Sequence, residues 1–591
     1  MAHKITSITI TNFKSIVSET FPLNDFTAIV GPNNAGKSNI LHASKWLLRK
    51  ASLGGECFHD IANPIIVEGK IEGIDQALLQ TLATNHRASI SQYLVGDTLF
   101  IRRVQNSPGD GVANIKLFVK DTAAQNPADE WANNPAGIDN AITSIFPEPI
   151  FIGAMENSEE DVSKQKAGTT IGKLLAEIIE PIEQQHGATV NQALQGLKDL
   201  LDADGLTRAP ELINFDQAVN PKIDSFFPNV SLKIHVPTPE IKEVFKQGTI
   251  KVYEPNFAAG REVGSLGHGA QRAIQMALIR HLADNKRATA NQGARTLLLI
   301  DEPELYLHPQ AIELVRESLK TLSQHGYQVL FTTHSPLMVT TDDILNTLII
   351  TKAHPAGTQK RQTLSQAITQ AIQDSPSQIN LMFTLTNSAQ ILFADKIILV
   401  EGTTEIRLFP KVFESLNGRS LGYHKYALIN QGSVSNTRKC FTVLNALGLP
   451  TKAIVDLDYA FTLAEDDGLL QANDSDIAAC KALFQQIAVA NNITLNTNNL
   501  PQKNPQVTAA RAYEILAQHA PAQPHIENLF QKLLAHNIWI WKSGAIEVHF
   551  GLPAKTEAAW ATYANQLKTQ PLNQVITDHA GVVALVRWLT Q

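Results

Sequence analysis

The stretch Ile29–Leu41, IVGPNNAGKSNIL, decides how the rest of this 591-residue chain is read. The apolar run FTAIV (Phe26–Val30) leads into it, and the helical pattern NILHASKWLLRK follows. Gly31, Gly36, Lys37 and Ser38 fit the pattern G-x-x-x-x-G-K-[ST], and a strand before with a helix after is the context that gives this pattern meaning. The glycines let the backbone N–H groups of Asn33, Asn34, Ala35 and Gly36 curl round a β-phosphate. Lys37 supplies a point charge to the β- and γ-phosphates, and Ser38 is an expected Mg²⁺ ligand. The helix aims its N-terminus at the anion. ATP with Mg²⁺ is the expected occupant.

Such a loop needs an acidic partner, and TLLLIDEPE (Thr296–Glu304) supplies one. A wholly apolar run of this kind suits the centre of a parallel sheet. Asp301, at its end, is expected on Mg²⁺, and Glu302 is placed to polarise the attacking water. FTTHSP puts His334 at the end of the following strand as a γ-phosphate sensor. Upstream, SLGHGAQRA offers Ser265, Gly267 and Gly269 at the start of a helix whose expected apolar face is Ile274, Ala277, Leu278 and Leu282. Backbone N–H groups there suit a phosphate, but the chain's own nucleotide already has its loop. The element is expected to meet the nucleotide of a second subunit, which implies an ATP-dependent dimer.

A second acidic strand end follows. KIILVEGTTEI (Lys396–Ile406) carries Glu401 and Glu405, with Gly402 read as a tight turn, and KAIVDLD (Lys452–Asp458) ends in Asp456 and Asp458. Asp-x-Asp on a strand puts both side chains on one side of the pleat. Carboxylates at adjacent parallel strand ends meet in the crevice beyond the sheet. Crowded together they repel unless a divalent cation neutralises them, and oxygen ligands suit Mg²⁺ or Mn²⁺.

The chain is too long for one core. Net charge is −7, so no global positive field advertises nucleic acid. Three scattered cysteines build neither a disulfide framework nor a zinc module, and no run is long enough to span a bilayer. A cytoplasmic, membrane-free protein is expected. Strand and helix alternate, giving an α/β class with an ATPase domain in two lobes, 1–162 and 233–378. A helical insert, 163–232, interrupted by a proline, is expected to dimerise. A C-terminal α/β domain occupies 379–591. VSLKIHV (Val230–Val236) is read as the strand that follows the insert.

Phosphate loop, glycine-rich helix start, acidic strand and histidine strand, in this order, resemble the ABC-type ATPase heads of the SMC, Rad50 and RecF group. ITNFKS (Ile10–Ser15) is similar to their opening and implies that Lys14 lies near the nucleotide. The glutamate–glycine strand followed by D-x-D resembles the Toprim pattern. A head joined to a C-terminal Toprim domain resembles the OLD (overcoming lysogenization defect) family of nucleases, which includes the nuclease subunit of Gabija anti-phage systems. That resemblance implies a nucleotide-regulated, divalent-metal-dependent endonuclease or nickase acting on double-stranded DNA in phage defence. It also implies a late acidic element, here Glu547 in WIWKSGAIEVHF, and a lysine beside the scissile phosphate. Lys542 adjoins the strand end, while Lys555 and Lys568 lie further on. It implies a homodimer or larger homo-oligomer, and a helicase (Gabija-like) or a reverse transcriptase with its DNA–RNA product (retron-like) as partner. A RecF- or SMC-like clamp whose Toprim domain only binds DNA would have lost these acidic residues. A topoisomerase would need a transesterifying tyrosine in a separate DNA-binding domain, for which no range is left, and the zinc module that primases often carry cannot be built from three dispersed cysteines.

Overall fold

The computed structural model describes residues 3–591 apart from 122–129, 134, 136, 147–148, 155–169, 237–249, 256–258, 289–294, 341 and 372–387. The expected boundaries at 162/163 and 378/379 lie outside the described residues. The chain packs as two units. One holds Met1–Ile29, Asn33–Met338 and Lys352–Gln359; the other holds Val30–Pro32, Val339–Thr351 and Lys360–Gln591.

In the first unit an antiparallel run is built from β1 (Lys4–Phe13), β2 (Ile16–Pro22), β4 (Ile65–Glu72), β5 (Leu99–Gln105), β6 (Lys116–Lys120) and β7 (Trp131–Asn133). β1 sits between β2 and β4, and β5, β6 and β7 extend the sheet outward from β4. Alternation drives it: Ile65, Val67, Gly69 and Ile71 of β4 face inward, and the residues between them are half-buried. β3 (Phe26–Val30), β8 (Ile150–Ile152), β9 (Thr296–Ile300) and β10 (Tyr327–Thr332) form a parallel array in the order β3-β10-β9-β8. β9 and β10 are buried almost throughout: β9 is apolar after Thr296, and in β10 the buried Gln328 side chain is satisfied by the backbone N–H and C=O of Ile5.

α1 (Lys37–Leu48) starts directly after Gly36 and buries Ile40, Leu41, Ala43, Ser44 and Leu47 on one face. The insert contains α2 (Thr170–Leu201), which runs through Pro181 without a break, and α3 (Pro210–Asp224). No strand forms over Val230–Val236. The backbone there is held by side chains instead: Asn220 bonds both the N–H and the C=O of Leu232, and Arg208 donates to the Ile234 carbonyl. These side chains meet the half-buried Leu232 and Ile234, and the other residues of Val230–Val236 are exposed, so the segment needs no ladder partner. α4 (His268–Ala288) buries Gln271, Arg272, Gln275, Met276 and Ile279, while Ile274 and Leu278 are half-buried and Ala277 is exposed. The expected apolar face is therefore not the inner one, because Arg272 and Gln275 turn inward to hydrogen-bond; the Leu282 side chain lies outside the described residues. α5 (Pro309–Gln324) precedes β10, and β11 (Gly357–Lys360) bonds to β2.

The second unit centres on a parallel four-stranded sheet. Its strands are β12 (Lys396–Val400), β13 (Tyr426–Asn430), β14 (Thr451–Val455) and β15 (Ile538–Ile540), in the order β13-β12-β14-β15. α6 (Thr403–Asn417) follows β12, α7 (Thr437–Ala446) follows β13, and the single turn α8 (Tyr459–Thr462) follows β14. α9 (Ala509–Gln518) precedes β15, and α10 (Ile546–Phe550) follows it. Strand order alone thus sets the carboxyl ends of β12, β14 and β15 side by side.

Candidate active sites

The first site lies in the ATPase unit. Asn34 and Gly36 both hold positive φ, 63° and 100°, so the loop curls before α1 begins. A Cβ on Gly36 would sit 2.2 Å from Thr358 Oγ1 and 2.6 Å from Ser15 Oγ, so only glycine fits. Thr358 also donates to the Ala35 carbonyl at 2.7 Å. A cleft of about 570 Å³ opens beside the loop, lined by Asn33, Asn34, Gly36, Lys37, Ser38, Asn39, Glu302 and His334.

Ser38 Oγ donates to Asp301 Oδ1 at 2.9 Å, and Thr332 donates to the same oxygen. Lys37 Nζ donates to His334 Nε2 at 2.8 Å, and Glu302 Oε1 is 3.4 Å from that nitrogen. Burial pushes the Lys37 ammonium down, opposed by the carboxylates of Glu302 and Asp301. Burial raises Glu302, which suits a group that must accept a proton from water. Glu302 sits at φ 48°, fixed by its N–H on Thr332 Oγ1 at 3.0 Å.

Two residues passed over in the sequence complete this geometry. Arg272 donates to the carbonyls of Asp301 and Glu302 at 3.0 and 2.7 Å, tying α4 to the acidic turn. Glu304 Oε1 accepts from Thr333 Oγ1, His334 N and Ser335 N, fixing the histidine turn. Glu304 stood in plain view within DEPE; nothing in the residues around Arg272 marked it.

Lys14 does not line the cleft. It has φ 50°, its carbonyl accepts from His59 Nδ1, and its charge acts on His42, which burial lowers to about 4. Ser265, Gly267 and Gly269 do not line it either. Ser265 and Gly267 are exposed just before α4, and Ser265 Oγ donates to the Glu262 carbonyl.

The second site lies at the carboxyl ends of β12, β14 and β15. Glu401 directly follows β12. Gly402 is extended (φ −140°), so it makes no tight turn; its contribution is room, since a Cβ there would meet Glu405 Oε2 at 3.2 Å. Glu405, in the first turn of α6, is 4 % exposed. β14 ends at Val455, so Asp456 and Asp458 lie on the turn into α8, not on a pleat. That turn is fixed by Leu457 N donating to the Gly544 carbonyl at 2.8 Å, which joins it to the segment carrying Glu547. Glu547 lies in the first turn of α10, and its Oε1 accepts from Thr404 Oγ1 at 2.7 Å.

Four carboxylate oxygens here are buried without a hydrogen-bond partner: Glu401 Oε2, Asp456 Oδ1, Asp458 Oδ1 and Glu547 Oε2. Burial first, then the neighbouring carboxylates, pushes Glu401 and Glu405 up to about 7 and Asp456 well above its usual value. Burial also raises Asp458. Carboxylates left without donors and forced toward the neutral form are the mark of a missing positive charge. The donor set is all oxygen and fits a hard divalent ion. Among the described residues no group of three His, Cys, Asp or Glu side chains stands ready to close on a single ion. Mg²⁺ sites of one or two carboxylates, completed by water and phosphate, do not need one.

Lys542 makes no ion pair with these carboxylates. Its Nζ pairs with Glu527 Oε2 at 2.7 Å and lies over the Phe530 ring, because the chain turns at Ser543–Gly544 and sends it the other way. Lys555 faces the carboxylates: Nζ is 3.1 Å from Glu547 Oε1, and its charge acts on Glu401, Glu405, Asp456 and Asp458. Lys568 is exposed in a later helix.

A P-loop unit followed by a parallel sheet with acidic strand ends defines an ATPase joined to a Toprim domain. Comparison agrees at both ends: residues 4–105 match an AAA ATPase domain, 166–340 an AAA domain, and 392–458 the Toprim domain of overcoming-lysogenization-defect-like proteins. The Old nuclease of Escherichia phage P2 is 36 % identical over 597 residues, covering all of both chains. This chain belongs to the OLD family. The endonuclease GajA of Bacillus cereus is 21 % identical, over 76 % of this chain and 73 % of that one. No helix among the described residues is long and apolar enough to cross a membrane.

Proposed function

We propose that this protein is a divalent-metal-dependent DNA endonuclease or nickase whose cutting is governed by ATP at the P-loop, and that it serves in bacterial defence against phage. The observation that carries the reading is the set of four partnerless carboxylate oxygens, with Lys555 paired to Glu547 through its other oxygen. Relatives named as a nuclease and an endonuclease support it.

Glu401, Glu405, Asp456, Asp458 and Glu547 are the carboxylates from which one or two at a time, with water and phosphate, would hold Mg²⁺ or Mn²⁺; the bound ion supplies Lewis-acid activation of water and of the leaving oxygen. Lys555 places its ammonium where a non-bridging phosphate oxygen gathers charge. Thr404 keeps Glu547 turned inward. Gly402 lets Glu405 approach the other carboxylates. No side-chain nucleophile is required.

At the other site Ser38 and Asp301 would hold Mg²⁺. Lys37 would leave His334 for the β- and γ-phosphates, and Glu302 would take a proton from the attacking water. Ser265, Gly267 and Gly269 would meet the nucleotide of a second copy, so the protein works as a homodimer or larger homo-oligomer, with the helical insert aiding assembly. Its site of action is the cytoplasm, its substrate double-stranded DNA, and a helicase or a reverse transcriptase is the class of partner that would hold it silent. The test is supercoiled plasmid with Mg²⁺ or Mn²⁺, with and without ATP, beside Glu401→Ala and Lys37→Ala. Intact plasmid and intact linear phage DNA in every condition would overturn the reading; cleavage by Glu401→Ala would overturn the site.

A further inference from the structure

The orphaned acceptors at the Toprim carboxylates have a counterpart among the donors. Tyr513, on α9, is 3 % exposed, and its hydroxyl is buried with no hydrogen-bond partner. Its surroundings are aromatic: the ring stacks on Phe461 at 5.4 Å and 27° and meets Phe484 edge-on at 5.4 Å. Such a socket suits phenylalanine better, since an unmade buried hydrogen bond costs free energy that a phenyl ring does not.

The position of α9 explains why the hydroxyl is there. Phe461 lies three residues beyond Asp458, in the single turn that starts at the D-x-D element. The next residue of α9, Glu514, packs on the glycine turn before Glu547: a Cβ on Gly544 would be 2.7 Å from Glu514 Cγ. α9 therefore lies across two of the three chain segments that carry the carboxylates. The charge that acts on the Tyr513 phenol is the Asp458 carboxylate, whose Oδ1 is itself buried and without a partner.

We infer that Tyr513 is a positioning residue of the nuclease site, its hydroxyl donating to Asp458 when a divalent ion draws that carboxylate into place. The inference rests on the metal-dependent reading of the site proposed above. A donor on one oxygen of a ligating carboxylate fixes which lone pair faces the ion, as outer partners of metal ligands generally do. The pairing also removes the unmade bond on both partners at once, so it adds to the ion's affinity.

The experiment uses the full-length protein and Mn²⁺ as the probe. Tyr513→Phe keeps the ring and its packing and removes only the hydroxyl. The expected result is about a tenfold rise in the Mn²⁺ concentration that half-saturates plasmid cleavage, in line with the effect of losing an outer partner. Calorimetric Mn²⁺ binding without DNA weakens in step, while ATP turnover and the metal-free melting temperature hold or rise. In a cycle with Asp458→Asn the two changes in Mn²⁺ affinity are not additive. If Tyr513→Phe matches wild type in Mn²⁺ half-saturation and binding while Asp458→Asn abolishes cleavage, the role of Tyr513 is overturned and the nuclease site stands. If Asp458→Asn also cuts as wild type does, the site assignment itself has failed.

Discussion

Lys555 Nζ stands 3.1 Å from Glu547 Oε1, so the lysine paired with the Toprim carboxylates comes from the segment after α10. Lys542, nearer in sequence to the strand end, is instead tied to Glu527. The two lysines separate cleanly by mutation. Lys555→Ala is expected to lower plasmid cleavage by roughly 10²-fold, the usual loss when one charge-stabilising donor is removed. Lys542→Ala should leave the rate within about threefold, since it loses an exposed ion pair with Glu527 and a contact over the Phe530 ring, neither of which touches the carboxylates. Equal losses in both would contradict the assignment.

The carboxylate cluster makes metal-free stability fall with rising pH. Glu401 and Glu405 move from 4.5 unfolded to about 7 in the fold. Between those values the folded chain holds protons that the unfolded chain has released, so stability declines as pH rises through the window and the loss is complete above it. Glu401→Gln removes one repelling charge. In EDTA its melting temperature should exceed that of wild type, by more near pH 8 than near pH 5. Adding Mn²⁺ near pH 8 should reverse the ranking. A variant that melts below wild type in EDTA at both pH values would show that Glu401 is stabilised by a partner and not strained by its neighbours.

Both acidic strand ends were legible in the sequence because their strands are continuous apolar runs; TLLLI and KIILV leave no doubt about where the strand stops, so Asp301 and Glu401 follow directly. Position on a pleat was not legible, since whether Asp456 ends β14 or begins a turn depends on Leu457 bonding to Gly544, a contact across more than eighty residues. The lysine was obscure for the same reason: adjacency favoured Lys542, but the left-handed Gly544 (φ 119°) reverses the chain between it and the site. Arg272 lay hidden because a helical arginine reads as solvated until its carbonyl partners are seen. VSLKIHV misled because apolar alternation cannot reveal that Asn220 and Arg208 take the hydrogen bonds a ladder would have made.

The ATPase site predicts a separation of activities. On the proposed reading Lys37 serves the nucleotide phosphates and the carboxylate cluster serves DNA. Lys37→Ala should abolish ATP turnover yet retain, or even raise, metal-dependent cleavage. Loss of cleavage together with turnover, in a protein whose melting temperature is unchanged, would mean that ATP drives cutting rather than restrains it.

Glu304 offers the sharpest test of the histidine turn. A single oxygen, Oε1, takes the Thr333 hydroxyl and the backbone N–H groups of His334 and Ser335. Glu304→Ala leaves the His334 N–H without its acceptor and reduces Thr333 and Ser335 to the bonds they make with each other, at a cost of about 1–3 kcal/mol for a group that water cannot reach. Glu304→Gln keeps a carbonyl oxygen for the same donors and loses only the charge. The alanine variant should therefore melt several degrees lower and lose ATP turnover as His334 shifts from Lys37, while the glutamine variant keeps most of both. If the glutamine variant loses turnover as fully as alanine does with its melting temperature intact, the charge of Glu304 acts on the nucleotide site directly and its part is not that of a brace.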